Sequence, residues 1–389
     1  MERLLLKGVL HGGRTRNILI EGKRFKDMDA PAEVADARVM DAAGLAVLPA
    51  LYNTHTHAAM TLLRGYADDM ALHTWLQDYI WPFEDKLTPQ DVRRGSEIAV
   101  REMLQSGSVF FNDMYFDIEE TIDVVNRLGT RAAIGITVME NHSKAVTEEK
   151  KEFVRQWHDP TGGRIRLVMA PHAIYTVGEK KLRDCAAFAR ENGMLLHIHL
   201  SETLKEEEDC LREHGTTPVR YLDSIGFLGP DVIAAHCVHV DDGEAAILAE
   251  RGVTVSHCPC SNMKLSSGVF PYRRMMKAGC RITLGTDGAS SGNNLDLREA
   301  MKFAALLAKT GGDPELLPAG EVLRWATEAG AEAFGIDAGT VAPGRLADCL
   351  LIDLSDIRMQ PCHNLVSNFV YAADSRCIRH VLCDGKMVL

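Results

Sequence analysis

A (β/α)₈ TIM barrel of the α/β class, carrying a small composite β-sandwich domain made from both chain ends, is the fold that this sequence predicts. Three observations carry the prediction: eight short apolar runs rich in β-branched residues, amphipathic helical stretches between them, and a shift to alternating strands near both termini. Strands that alternate with helices imply parallel pairing, and eight such units are the number that closes a barrel.

Taken in order, residues 2–10 and 17–25 alternate like strands on either side of Gly12-Gly13. The eight barrel runs are 45–51, 109–114, 132–138, 166–170, 195–200, 232–238, 253–258 and 281–285. They are nearly continuous in apolar residues, as expected of parallel strands covered on both faces. Stretches 90–104, 179–192, 242–251 and 297–309 space their apolar residues three to four apart, the helical period. At the far end, 349–352 and 377–382, with the turn Asp384-Gly385, return to strand texture. The expected organisation is residues 1–49 and 337–389 as two parts of one small β-domain and 50–336 as the barrel. No internal repeat or low-complexity segment interrupts this plan.

The 389 residues are 46% apolar and 25% charged, an ordinary globular balance, so a large core is expected. A net charge of −11 argues against nucleic acid as a partner, because neutralising phosphates takes a basic face. No apolar run reaches the roughly 18 residues of a membrane span, and the short apolar stretch at residues 4–6 is broken by Lys7 and Gly8. The expected setting is the cytoplasm and the expected partner a small molecule, with assembly into identical copies left open. Of the ten cysteines, only Cys258 and Cys260 form a close pair; with no second pair, they are read as structural.

In a barrel of this kind, reactive groups sit at the C-terminal ends of the strands. The first strand ends in Asn53-Thr54-His55-Thr56-His57, and side chains two apart on an extended chain share a face, so His55 and His57 can chelate one ion. The fifth ends in His197-Ile198-His199-Leu200-Ser201-Glu202. His199 adds a third imidazole, Glu202 stands where a carboxylate can reach a metal-bound water, and the deeper His197 is read as packed or hydrogen-bonded. The sixth strand ends in His236 and the eighth in Asp287-Gly288. An aspartate leaving an apolar strand needs a cation or donors to hold it; a turn cap with Gly288 is the structural alternative. Three histidines and an aspartate (His55, His57, His199, Asp287) suit one divalent metal, zinc first, with room for a water whose pKa falls from about 15.7 to roughly 7–9 on binding.

Rival motifs fail. Gly288-Ala289-Ser290-Ser291-Gly292 spells a serine-hydrolase elbow but follows the proposed metal aspartate. Pro259-Cys260 lacks the second cysteine of the cytidine-deaminase signature, and there is no P-loop or dinucleotide fingerprint.

These stretches, with Leu63-Arg64-Gly65, Ser256-His257-Cys258-Pro259-Cys260-Ser261-Asn262 and Gly344-Arg345-Leu346-Ala347-Asp348, resemble the amidohydrolase superfamily. The resemblance covers essentially the whole chain and is closest to the methylthioadenosine/adenosylhomocysteine deaminase and chlorohydrolase branch. It implies His55, His57, His199 and Asp287 as metal ligands, Glu202 as the proton shuttle, and His236 as the residue that orients hydroxide. It also implies His172 as a purine contact, Glu84 as the carboxylate for ribose hydroxyls, and Trp75 as a pocket wall, although the amphipathic stretch 73–84 could also place these aromatics in the core. Binuclear relatives carry a modified lysine where His172 stands, so one metal is expected.

The implied reaction is hydrolytic deamination of an adenosine-type nucleoside, with Asp287 or Glu202 taking a proton from water and Glu202 delivering one to the purine ring. Segment 136–144 has no arginine to hold the carboxylate of adenosylhomocysteine, which favours neutral 5′-substituents. The alternatives are a deaminase or chlorohydrolase of another aminated heterocycle (guanine, a pterin, a cytosine-like base or a triazine) and, more remotely, a non-catalytic scaffold.

Overall fold

A computed structural model of the chain describes residues 2–140, 150–159 and 163–389. Its strands divide between two sheets. The terminal sheet takes β1 (Arg3–His11), β2 (Arg14–Glu21), β3 (Arg24–Asp27), β4 (Arg38–Asp41) and β5 (Leu45–Pro49) from one end. From the other it takes β14 (Cys349–Asp353), β15 (Ile378–Cys383) and β16 (Lys386–Met387). They are hydrogen-bonded as one continuous sheet in the order β16-β15-β14-β5-β1-β2-β3, with β4 paired to β1. The two ends interlock because β14 runs antiparallel between β5 and β15, with Leu350 opposite Leu48 on one side and Val381 on the other.

The barrel strands are β6 (Leu51–Thr56), β7 (Ser108–Tyr115), β8 (Arg131–Val138), β9 (Ile165–Pro171), β10 (Leu195–Leu200), β11 (Val232–His236), β12 (Thr254–His257) and β13 (Arg281–Leu284). They pair in sequence order, all parallel. The seam between β13 and β6 closes through side-chain and backbone bonds: Thr54 Oγ1 donates to the Leu284 carbonyl at 2.9 Å, the Thr286 amide to Asn53 Oδ1 at 3.1 Å, and the Asp287 amide to the His55 carbonyl at 3.1 Å. The backbones approach closely here. A Cβ added to Gly285 would fall 2.8 Å from the Cβ of His55, so this position tolerates only hydrogen.

Two expectations need correction. The run 45–51 is not the first barrel strand: 45–49 lies in the terminal sheet as β5, and the barrel strand is Leu51–Thr56. Ala50 alone separates them, and both halves are largely buried, so a continuous apolar run conceals a change of sheet. Likewise, 17–25 is not one strand but a hairpin, turned at Gly22 (φ 61°) between β2 and β3.

The helices follow their amphipathic stretches at Pro89–Gln105, Glu179–Glu191, Asp242–Glu250 and Leu297–Ala308. Two of them open with reciprocal capping boxes, Thr88 with Asp91 and Asp241 with Glu244, which satisfy the first free amides. The terminal sheet is fastened to the barrel by a buried polar knot. Arg131, at the start of β8, bonds both Asp348 (3.2 Å) and Asp384, and Tyr52 of β6 donates to Asp348 at 2.7 Å. No helix among the described residues is long and apolar enough to cross a membrane.

Candidate active site

At the C-terminal mouth of the barrel, four strand ends bring their polar side chains to one point. His55 Nε2 lies 3.4 Å and His57 Nε2 3.2 Å from Asp287 Oδ1, while His57 Nε2 and His199 Nε2 are 3.3 Å apart. Donor atoms of a four-coordinate zinc, with bonds of roughly 2.0–2.1 Å, stand about 3.3 Å from one another. His55 Nε2 is buried and, among the described residues, faces Asp287 without a hydrogen bond of good geometry, which fits a cation at the centre of the set. His55, His57 and His199 form one group with ligand atoms mutually within 4.8 Å, and His55, His236 and Asp287 form another.

The ring orientations are fixed from behind. His57 Nδ1 donates to the Met114 carbonyl (2.6 Å) and His199 Nδ1 to the His172 carbonyl (2.8 Å), which turns each Nε2 inward as the ligating nitrogen. His197, two residues before His199 on the same face of β10, sits between His55 Nδ1 (2.9 Å) and Asn112 Nδ2 (3.1 Å). Asp287 Oδ1 accepts from the Gly288 amide at 2.7 Å, and Oδ2 accepts from Ser261 (2.5 Å) and Ser291 (3.0 Å). This aspartate caps the turn through Gly288 while the same oxygen faces His55 and His57.

Electrostatics follow from burial and from these contacts. Burial opposes the charge on Asp287, but its contacts with His55 and His57 outweigh that cost and hold the carboxyl well below its ordinary range. Burial lowers His55 to about 4, whereas in His57 the bond to Asp287 overcomes burial and raises it to about 9. Burial also drives His199 well below 6.5, so its imidazole is neutral, the form that binds a metal. Burial raises the Glu202 carboxyl, so a proton is held there more readily than in water.

Glu202 stands beside the cluster, with Ser267 Oγ 3.3 Å from its Oε1 and His236 Nε2 3.7 Å from its Oε2. His236 Nδ1 faces Asn262 Oδ1 at 2.8 Å, which directs Nε2 to Glu202. Ser201, His236 and Asp287 all have positive φ (50°, 73° and 62°), so the chain bends sharply just where three of the strands deliver their groups.

The cluster forms the floor of a cleft at the barrel mouth, lined by both polar and apolar side chains. His57, Trp75, Glu84, His172, His199, Glu202, His236 and Asp287 all line it, and His55, which does not, joins the same cluster through Asp287, so the structure brings together every site residue the sequence suggested. Trp75 and Glu84 come from the segment between β6 and the Pro89 helix, which folds over the mouth, and both are buried. Apolar walls come from Met60, Leu72, Leu76, Trp81, Phe116, Met139 and Leu265. Ser261, Ser267, Asn262, Asn112 and Glu206 were missed as supporting groups; Ser261 and Asn262 lay in a recognised motif without a role, and the others gave no signal. Of the arginine-free segment 136–144, residues 141–144 lie outside the described residues.

Cys258 is buried with its thiol towards the Ser256 carbonyl, and neither it nor Cys260 joins a candidate metal group among the described residues. Ser290 Oγ contacts Met60 Sδ.

A hydrolase-type barrel with a histidine–aspartate cluster at its mouth matches a known class: the amidohydrolase family model covers residues 46–388, and the chain belongs to this family. Among curated relatives, it is 43% identical over 398 residues to the 5′-deoxyadenosine deaminase of Methanothermobacter thermautotrophicus, covering 100% of this chain and 93% of that one. It is 45% identical over 386 residues to the 5-methylthioadenosine/S-adenosylhomocysteine deaminase 1 of Archaeoglobus fulgidus, covering 98% and 90%. Among solved structures, an adenosine deaminase from Xanthomonas campestris with bound zinc superposes with a TM-score of 0.91 at 33% identity, covering 99% of this chain and 92% of that one.

Proposed function

We propose that this protein is a metal-dependent hydrolytic deaminase that converts an adenosine-type nucleoside to the inosine-type product and ammonia. The observation that carries the reading is the convergence of His55, His57, His199 and Asp287 beside the buried Glu202, on the floor of a cleft that also holds Glu84. Relatives at 43–45% identity that bear the names of nucleoside deaminases support it. Purified protein loaded with zinc, offered a panel of adenosine analogues, is expected to release ammonia from several of them; silence across the panel removes the proposal.

His55, His57, His199 and Asp287 would hold one divalent cation, with zinc the first choice for three imidazoles and a carboxylate. The absence of a lysine at the end of β9, where His172 stands, supports a single ion. Such a cation would supply the acidification of a water, and with it a nucleophile near neutral pH. Glu202 takes the proton released and passes it to ring nitrogen 1, which makes carbon 6 of the adenine electrophilic. Its raised pKa suits it to hold that proton between the two steps. Asp287, kept anionic by its neighbours, accepts rather than donates. His236, held by Asn262, directs its Nε2 at the reacting centre and stabilises the tetrahedral arrangement. His172 contacts the purine, Glu84 accepts from the ribose hydroxyls, and Trp75 closes the wall.

Among the described lining residues there is no lysine or arginine, while Glu84, Glu202 and Asp287 supply negative charge. A substrate with an anionic 5′ tail finds no partner there, so neutral substituents such as those of 5′-deoxyadenosine, methylthioadenosine or adenosine itself are preferred.

A further inference from the structure

We propose that Glu206 is a positioning residue that aims Glu202, an inference that rests on the reading of Glu202 as the proton carrier. Glu206 lies in the first turn of the helix Leu204–His214 and is 2% exposed. Its Oε1 accepts the Ser201 amide at 3.0 Å and its Oε2 the Glu202 amide at 2.8 Å.

The helix start is of the type that ordinarily closes a capping box. Thr203 is the cap and accepts the Glu206 amide at 3.2 Å, so the carboxylate would be expected to return the bond to the Thr203 amide. Asp91 and Glu244 do this at the equivalent place in their own helices. Glu206 instead passes the cap and grips the two peptides before it. It serves the strand end, not its helix.

The gripped peptide is strained. Ser201 has φ 50°, a left-handed conformation that side-chain-bearing residues adopt only when their surroundings impose it. Its carbonyl is held from the other side by the amides of Val238 and His239, both at 2.9 Å, just past His236. The Ser201 peptide therefore ties the end of β10 to the end of β11, and through it the stances of Glu202 and His236 are set together. Only a carboxylate offers two acceptor oxygens to two neighbouring amides; a glutamine would turn an N–H towards one of them. Burial raises the Glu206 carboxyl, and the Glu202 and Ser201 amides oppose that shift by favouring the two-acceptor carboxylate. A buried acid held against that cost has a task beyond packing.

The experiment compares Glu206→Gln, Glu202→Gln and, as a surface control on the same helix, the exposed Glu208→Gln, each loaded with zinc. For Glu206→Gln the expected result is a kcat about 10- to 100-fold lower, the effect of misplacing a catalytic group by about 1 Å, with KM and bound zinc near wild type. Glu208→Gln should match wild type. A second variant, Ser201→Gly combined with Glu206→Gln, relieves the strained residue; it is expected to regain thermal stability but not kcat. Wild-type kcat in Glu206→Gln, a loss accounted for by missing zinc, or recovery of kcat together with stability in the double variant overturns the proposal. An active Glu202→Gln would instead overturn the reading of Glu202 itself, whatever Glu206→Gln does.

Discussion

Nε2 of His197 lies 2.9 Å from Nδ1 of His55, and Asn112 holds the opposite nitrogen of His197 at 3.1 Å. This buried relay fixes the ring of the deepest candidate ligand, much as the Met114 and His172 carbonyls fix His57 and His199. Removing such a support commonly weakens metal binding by about 10- to 100-fold. His197→Ala is therefore expected to lose zinc to a competing chelator at correspondingly lower chelator concentration. Unchanged affinity would show that the relay is packing alone.

Glu202→Gln keeps the shape of the side chain and removes its ability to carry a proton. Bound zinc, measured by elemental analysis, should be unaltered, while kcat falls by roughly 10²- to 10⁴-fold, the range for a positioned acid–base group. Full turnover in this variant is incompatible with the proposed proton path.

Glu84 is 3% exposed and lines the cleft some distance along the chain from every candidate ligand. If it receives ribose hydroxyls, Glu84→Ala should raise KM for nucleosides, and a free nucleobase should be handled no worse than by wild type. Untouched kcat/KM for nucleosides would shift the reading to another aminated heterocycle.

The knot of Arg131, Asp348, Asp384 and Tyr52 is a stability element remote from the cleft-lining residues. Breaking a buried ion pair by removing one partner typically costs about 3–5 kcal/mol, because the other charge stays buried. Asp348→Ala is expected to unfold at lower denaturant concentration, while kcat of the folded fraction is retained. A midpoint equal to that of wild type would refute this role.

Asp113 accepts the Ala58 amide at 2.7 Å, and burial raises its carboxyl from the ordinary 3.8 to about 6. The folded chain thus holds this proton more tightly than the unfolded chain does. Its contribution to stability is complete below about pH 4 and is lost as pH rises through about 6. Asp113→Asn, which cannot titrate, should gain stability relative to wild type between pH 4 and pH 7, as read from urea unfolding of the metal-free proteins. A constant difference across that range would contradict the shift.

Much of this was legible in the order of residues. The pair His55 and His57 declares itself because alternation along a strand puts both on one face, and His199 and Asp287 declare themselves by standing where an apolar strand stops. Less could be read where hydropathy is silent. Residues 45–51 are apolar throughout, and burial in either sheet satisfies such a run equally, so the change of sheet at Pro49 left no mark. Glu206 looks like an ordinary capping glutamate in sequence. Its reach past Thr203 depends on the bend at Ser201.

The repeating plan of the barrel and the candidate ligands at strand ends are written into the order of residues, because periodicity and the cost of burying charge act on short stretches of chain. That side chains more than two hundred residues apart share one point, which rings are turned by which carbonyls, and which amides Glu206 holds emerge only in the folded chain. Those relations depend on closing the barrel, and closure is set by contacts between segments that no local pattern records.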